Sequence, residues 1–99
     1  MKNLKDILYN VSVNEVYGST DVLINTINFD SRLIKLNDVF VAIIGVESDG
    51  HDYIEKAQKK GATVIICEVL PLNRVDGLTY VVVENTKSAL AHMASNYFD

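Results

Sequence analysis

Val39-Phe40-Val41-Ala42-Ile43-Ile44-Gly45 is an unbroken apolar run closed by a glycine, and Thr63-Val64-Ile65-Ile66-Cys67 repeats the pattern further on. Neither run alternates polar with apolar positions, so both faces of each need cover, as in strands buried between two layers. Between them lies a helical pattern. Asp52 and Glu55 have the spacing of a capping box, Tyr53, Ile54, Ala57 and Gln58 follow at helical intervals, and Gly61 is the expected stop. Strand, helix and strand in this order predict a βαβ unit with parallel strands and a right-handed crossover, and so an α/β fold.

Working outward, Glu68–Leu78 holds the only proline, Pro71, and the turn pair Asp76-Gly77, and reads as a loop. Thr79–Val83 is the next buried strand. Asn85 or Thr86 caps a last helix, Thr86–Phe98, with Ala89, Leu90, Met93, Ala94 and Tyr97 as its apolar stripe. Upstream, Leu4, Ile7 and Leu8 share one helical face over Leu4–Tyr9, with Asn3 as cap. Val11–Tyr17 alternates in part, and Asp21–Phe29 is a second extended candidate after the break at Gly18-Ser19. The expectation is one small domain over residues 1–99, with a mostly parallel or mixed sheet flanked by helices. Its buried strands are Val39–Ile44, Thr63–Cys67 and Tyr80–Val83, and its central helix is Asp52–Lys60.

Composition excludes several functions. The chain has 99 residues, 48% hydrophobic and 22% charged, which is globular rather than disordered. Nine basic against thirteen acidic residues give a net charge of −4, with the basic residues scattered, so the concentrated patch that nucleic acid requires is missing. The single cysteine, Cys67, forbids an internal disulfide and a cysteine-cluster zinc site, and at the end of an apolar run it reads as a buried structural thiol. No apolar run approaches the roughly 20 residues of a membrane span. Met1-Lys2-Asn3-Leu4-Lys5-Asp6 lacks the apolar core of a secretion signal, which leaves a cytoplasmic protein without a membrane partner.

Two polar clusters carry whatever chemistry the chain has. Ser48-Asp49-Gly50-His51-Asp52 offers His51 and two carboxylates, but ligands packed this closely rarely converge on one ion. The preferred reading is a polar turn that starts a helix, with Gly50 supplying an awkward backbone angle and Asp52 the cap. Asp30-Ser31-Arg32 follows an extended segment. It can hold a phosphate or carbonyl through a hydroxyl, backbone N–H groups and a guanidinium, or it can be a turn in which Arg32 pairs with Asp30 or Asp38. Spacing leaves both open. His92 reads as a surface or boundary residue. Glycine-rich phosphate loops of either common kind and the G-x-S-x-G elbow are absent.

Taken together and in order, Phe29-Asp30-Ser31-Arg32, Leu36-Asn37-Asp38-Val39-Phe40-Val41-Ala42, Gly45 and Asp49-Gly50-His51-Asp52-Tyr53-Ile54 resemble the N-terminal domain of the bacterial Mur ligases, of the MurE type. Ala57, Gly61-Ala62, Cys67-Glu68 and Tyr80–Asn85 extend the resemblance over the chain. The resemblance implies part of an ATP-dependent amide ligase of peptidoglycan synthesis. That enzyme adds meso-diaminopimelate or L-lysine to UDP-N-acetylmuramoyl-L-alanyl-D-glutamate. This part would anchor the uridine diphosphate end, while ATP and magnesium serve the central domain and the amino acid the C-terminal one, both absent here. The isolated chain is then expected to be catalytically inactive, with no catalytic residue, metal or cofactor of its own. By the same resemblance the pocket uses Phe29, Ser31, Val46, Glu47 and Ser48, and Asp30, Arg32, Asp49, Gly50 and His51 shape the loops. Leu36-Asn37 stands where the family often has Pro-Gly, and Asn37 tolerates the left-handed conformation. Glu47 is expected to turn its side chain to solvent, since a carboxylate would repel a diphosphate. The alternatives are MurF, which adds D-alanyl-D-alanine, and a stand-alone nucleotide-binding or regulatory module; a phosphate loop encoded just downstream would decide for a ligase.

Overall fold

The computed structural model describes residues 1–98; Asp99, included in the expected domain, lies outside the described residues. The chain runs β1 (Lys2–Asn3), α1 (Leu4–Ile7), β2 (Glu15–Tyr17), β3 (Leu23–Ile24) and β4 (Ile27–Asn28). A 3-10 turn (Ser31–Leu33), β5 (Val39–Val41), a second 3-10 turn (Gly50–Tyr53), α2 (Ile54–Lys60), β6 (Val64–Cys67), β7 (Thr79–Val82) and α3 (Thr86–Phe98) complete it.

Five strands form one mixed sheet in the order β2-β7-β6-β5-β4; β4 to β7 are parallel and β2 is antiparallel to β7. Successive side chains of a strand point to opposite faces, and here each set finds its own layer. Val39, Val41, Val64, Ile66 and Val81 pack with Leu4 and Ile7 of α1 and with Ala89 and Met93 of α3. Phe40, Ala42, Ile65, Cys67, Tyr80 and Val82 pack with Ile34, Ile54, Ala57 and Ala62. The unalternating sequence of the central strands is therefore what a three-layer arrangement requires.

The structure corrects several boundaries. The Asp21–Phe29 segment is not one strand: β3 pairs antiparallel with β1 in a separate two-stranded sheet, whereas β4 joins the main sheet beside β5. Asn25 and Thr26 form the break, held by the buried Asp38 carboxylate. That carboxylate accepts from Asn25 Nδ2 at 3.0 Å, from the Thr26 N–H at 3.2 Å and from the Lys35 N–H at 2.8 Å. Within Val11–Tyr17 only Glu15–Tyr17 is a strand. The run over Val39–Ile44 leaves the strand after Val41, because Ile44 bridges back to Asp49 and turns the chain into a tight hairpin. The central helix begins at Ile54, not Asp52. The cap is Asp49, whose carboxylate accepts from the His51 N–H at 2.9 Å, and a 3-10 turn precedes α2.

Asn37 adopts φ +67°, the left-handed conformation expected of it. Gly61 ends α2 at φ +119°, and a Cβ there would lie 2.7 Å from Leu36 Cα. Both strain and collision oppose a side chain, so Gly61→Ala should cost about 2 kcal/mol or more of stability. The expected result is a lower urea midpoint with an unchanged m-value.

Candidate functional site

Parallel strands place the loops that follow them at one edge of the sheet, where α/β folds hold their ligands. Here β4 delivers Phe29 to Arg32, β5 delivers the hairpin from Ile43 to Gly50, the second 3-10 turn delivers Tyr53, and the first turn of α2 delivers Lys56. Phe29, Asp30, Ser31, Arg32, Ile43, Gly45, Ser48, Gly50, Tyr53 and Lys56 together border an open cleft of about 420 Å³.

Each wall has a local cause. On the first, Asp30 caps the 3-10 turn. Its Oδ1 accepts from the Arg32 N–H at 3.0 Å and from Arg32 Nε at 3.0 Å, and its Oδ2 accepts from Arg32 Nη2 at 2.8 Å. The Arg32 guanidinium, with the Arg32 N–H beside it, holds the Asp30 carboxyl down at about 2. Arg32 thus pairs with Asp30 and not with Asp38. This turn leaves Ser31 only 6% exposed and lining the cleft, and among the described residues its hydroxyl has no hydrogen-bond partner. Every fully buried side-chain polar atom among the described residues has a partner, so the Ser31 hydroxyl keeps its accessible surface on the cleft, where a ligand can accept from it.

On the second wall, Ile43 and Gly50 bond backbone to backbone at 2.7 Å, and the Gly45 N–H donates to the Ser48 carbonyl at 2.7 Å. A Cβ on Gly50 would lie 2.6 Å from the Ile43 nitrogen. Gly50 is needed for this close approach rather than for an unusual angle, since its φ lies outside the left-handed region. Val46 and Glu47 form the exposed hairpin tip and do not border the cleft; Ser48 does.

His51 fixes this hairpin to the sheet. Its Nε2 accepts from the Glu68 N–H at 2.9 Å and the Val69 N–H at 3.3 Å, and its Nδ1 lies 2.7 Å from Asp49 Oδ1. These partners assign a neutral ring with the proton on Nδ1. Both nitrogens are engaged, so neither is available to a metal, and among the described residues no three metal-ligating side chains converge. His92 is exposed on α3. Cys67 is buried, and burial pushes its thiol up to about 11, which removes thiolate chemistry.

Sequence reasoning missed Tyr53 and Lys56. Their i, i+3 spacing places them on one helical face immediately after the Asp49-Gly50-His51 turn, and that was the available signal.

A family model described as "Mur ligase family, catalytic domain" matches residues 23–98. Among curated proteins, the UDP-N-acetylmuramoyl-L-alanyl-D-glutamate--2,6-diaminopimelate ligase of Phocaeicola vulgatus is 39% identical over 96% of this chain and 20% of its own length. The protein of the same name from Cytophaga hutchinsonii is 41% identical over 97% of this chain and 20% of its own. The chain thus spans about a fifth of these relatives. Among solved structures, the MurF ligase of Thermotoga maritima, in complex with ADP, is 36% identical with a TM-score of 0.61, covering 70% of this chain and 16% of that one. MurF of Acinetobacter baumannii shares the fold at a TM-score of 0.75 and 22% identity, covering 95% of this chain and 20% of that one.

The Asp49–His51 contact makes a sign-definite prediction. The His51 N–H, followed by the ring, holds the Asp49 carboxyl below its ordinary value. The folded state therefore binds fewer protons than the unfolded one around about pH 4, and this stabilisation is present above that range and lost as pH falls through the folded value. Asp49→Ala should lower the urea midpoint near neutrality and flatten its decline in acid. His51→Leu should cost about 1–3 kcal/mol and accelerate amide exchange at Glu68, measured by NMR.

Proposed function

The chain belongs to the Mur ligase family, and we propose that it anchors the uridine diphosphate end of UDP-N-acetylmuramoyl-L-alanyl-D-glutamate for a ligase of peptidoglycan synthesis. The amino acid added would be 2,6-diaminopimelate, as in the names of the curated relatives that cover 96% and 97% of the chain. Those names, with their near-complete coverage, favour this reading over the D-alanyl-D-alanine-adding alternative. In this reading the ligase works in the cytoplasm. Among the described residues no helix is long and apolar enough to cross a membrane.

One observation carries the site reading: Ser31 is a largely buried residue that lines the cleft beyond β4, and its hydroxyl, with no protein partner among the described residues, keeps its accessible surface there. In this reading it donates to an ionised diphosphate oxygen. Phe29, 60% exposed at the same cleft, offers an apolar flank. Uracil presents one imide N–H between two carbonyl acceptors, which backbone groups of Ser48 at the cleft border, and of Val46 and Glu47 at the hairpin tip outside its lining, would read. The Glu47 side chain is exposed at the tip, away from the cleft lining. Asp30, Arg32, Asp49, Gly50 and His51 hold the two walls.

The sequence has no glycine-rich phosphate loop of the kind that cradles ATP, so in this reading ATP and magnesium belong to another part of the ligase. Bond formation is assigned to the central and C-terminal domains of the same ligase, with which this chain would work as a substrate-binding partner.

Ser31→Ala tests this reading. Hydrogen bonds to charged groups contribute about 1.5–3 kcal/mol, so UDP affinity should fall about tenfold or more. Uridine should lose much less, and the melting temperature should hold. Equal losses for both ligands with a drop in stability would assign Ser31 to the turn alone.

A further inference from the structure

We propose that Lys56 is the cation of the cleft that recognises the diphosphate, an assignment that rests on the uridine diphosphate reading and extends it to a residue outside the shared motifs. The cleft border holds three formally charged side chains, Asp30, Arg32 and Lys56. Asp30 and Arg32 neutralise each other through two side-chain bonds, so the guanidinium is already committed. Lys56 makes no ion pair among the described residues.

The other lysines of α2 are engaged elsewhere. Lys59 pairs with Glu55 at 3.2 Å, and Lys60 Nζ donates to the Arg32 carbonyl at 3.2 Å, tying α2 to the 3-10 turn that carries Ser31. Lys56 alone among them borders the cleft. In a chain of net charge −4, it leaves this wall with one uncompensated positive charge. Ser31 lines the same cleft with a free hydroxyl. A hydroxyl donor and a flexible ammonium at one concave surface are what a diphosphate accepts: one directed hydrogen bond and one point charge. Neither group gains from uridine without its phosphates.

The test is a calorimetric titration of UDP, uridine and inorganic pyrophosphate into wild type, Lys56→Gln, Ser31→Ala and, as a control on the same helix, Lys59→Gln. Lys56→Gln should weaken UDP and pyrophosphate about 5- to 10-fold at low salt. It should leave uridine and the melting temperature unchanged, and it should flatten the salt dependence of UDP binding. Lys59→Gln should resemble wild type. If Ser31→Ala weakens UDP while Lys56→Gln stays within twofold of wild type, the Lys56 assignment is overturned and the uridine diphosphate reading stands. If pyrophosphate binds through Lys56 but UDP binds no better than ADP, the cation site stands and the uridine reading falls. Absence of binding by both UDP and pyrophosphate overturns both.

Discussion

The His51 imidazole joins segments that the backbone alone would leave apart. One nitrogen faces Asp49 in the hairpin after β5, and the other receives the backbone N–H of Glu68 at the end of β6. Glu68 carries the connection onward, since its Oε2 accepts from the Thr86 N–H at 2.9 Å and from the Thr86 hydroxyl at 3.1 Å, at the first turn of α3. The hairpin, the central strand and the last helix are thus placed by one continuous set of hydrogen bonds. Together with the Ile43–Gly50 and Gly45–Ser48 backbone bonds, this set defines the second wall of the cleft. The neutral imidazole supplies one acceptor and one donor nitrogen on a single rigid ring, which fixes the two contacts relative to each other.

The first wall works on a different principle. Asp30 spends its charge on Arg32, so the turn after β4 is held by an internal pair and presents no net charge to a ligand. This frees the turn to expose a hydroxyl rather than a carboxylate. A cleft for an anion is therefore compatible with an acidic chain, because the carboxylates nearest the cleft are committed to their neighbours.

Legibility followed the physics of each segment. Val39–Val41 and Val64–Cys67 were plain because burial on both faces admits no polar residue, and α3 was plain because its apolar stripe is long enough to show a period. The division of Asp21–Phe29 was hidden. It depends on Asp38, a carboxylate distant in sequence that binds the Asn25 side chain and the Thr26 N–H, and no local pattern announces such a contact. The cap at Asp49 was missed for a related reason: Asp52 with Glu55 fits the capping-box spacing, yet the chain enters the helix through a 3-10 turn begun three residues earlier. At the site, the resemblance directed attention to Phe29, Ser31 and Ser48, which border one cleft. Tyr53, at the end of the second 3-10 turn, and Lys56, in the first turn of α2, show no more in sequence than a helical pattern, so their place at the cleft border was hidden.

Cys67 closes β6, the middle strand of the sheet, with β7 on one side and β5 on the other. It is the only thiol in the chain, and burial keeps it protonated. An alkylating reagent in solution attacks thiolates, so it meets its target only in molecules whose central strand has come free. The rate of covalent labelling then counts how often the centre of the sheet opens, a quantity usually reached through backbone isotope exchange. The protein carries a built-in chemical clock for its own opening, and any ligand that steadies the strand ends should slow it.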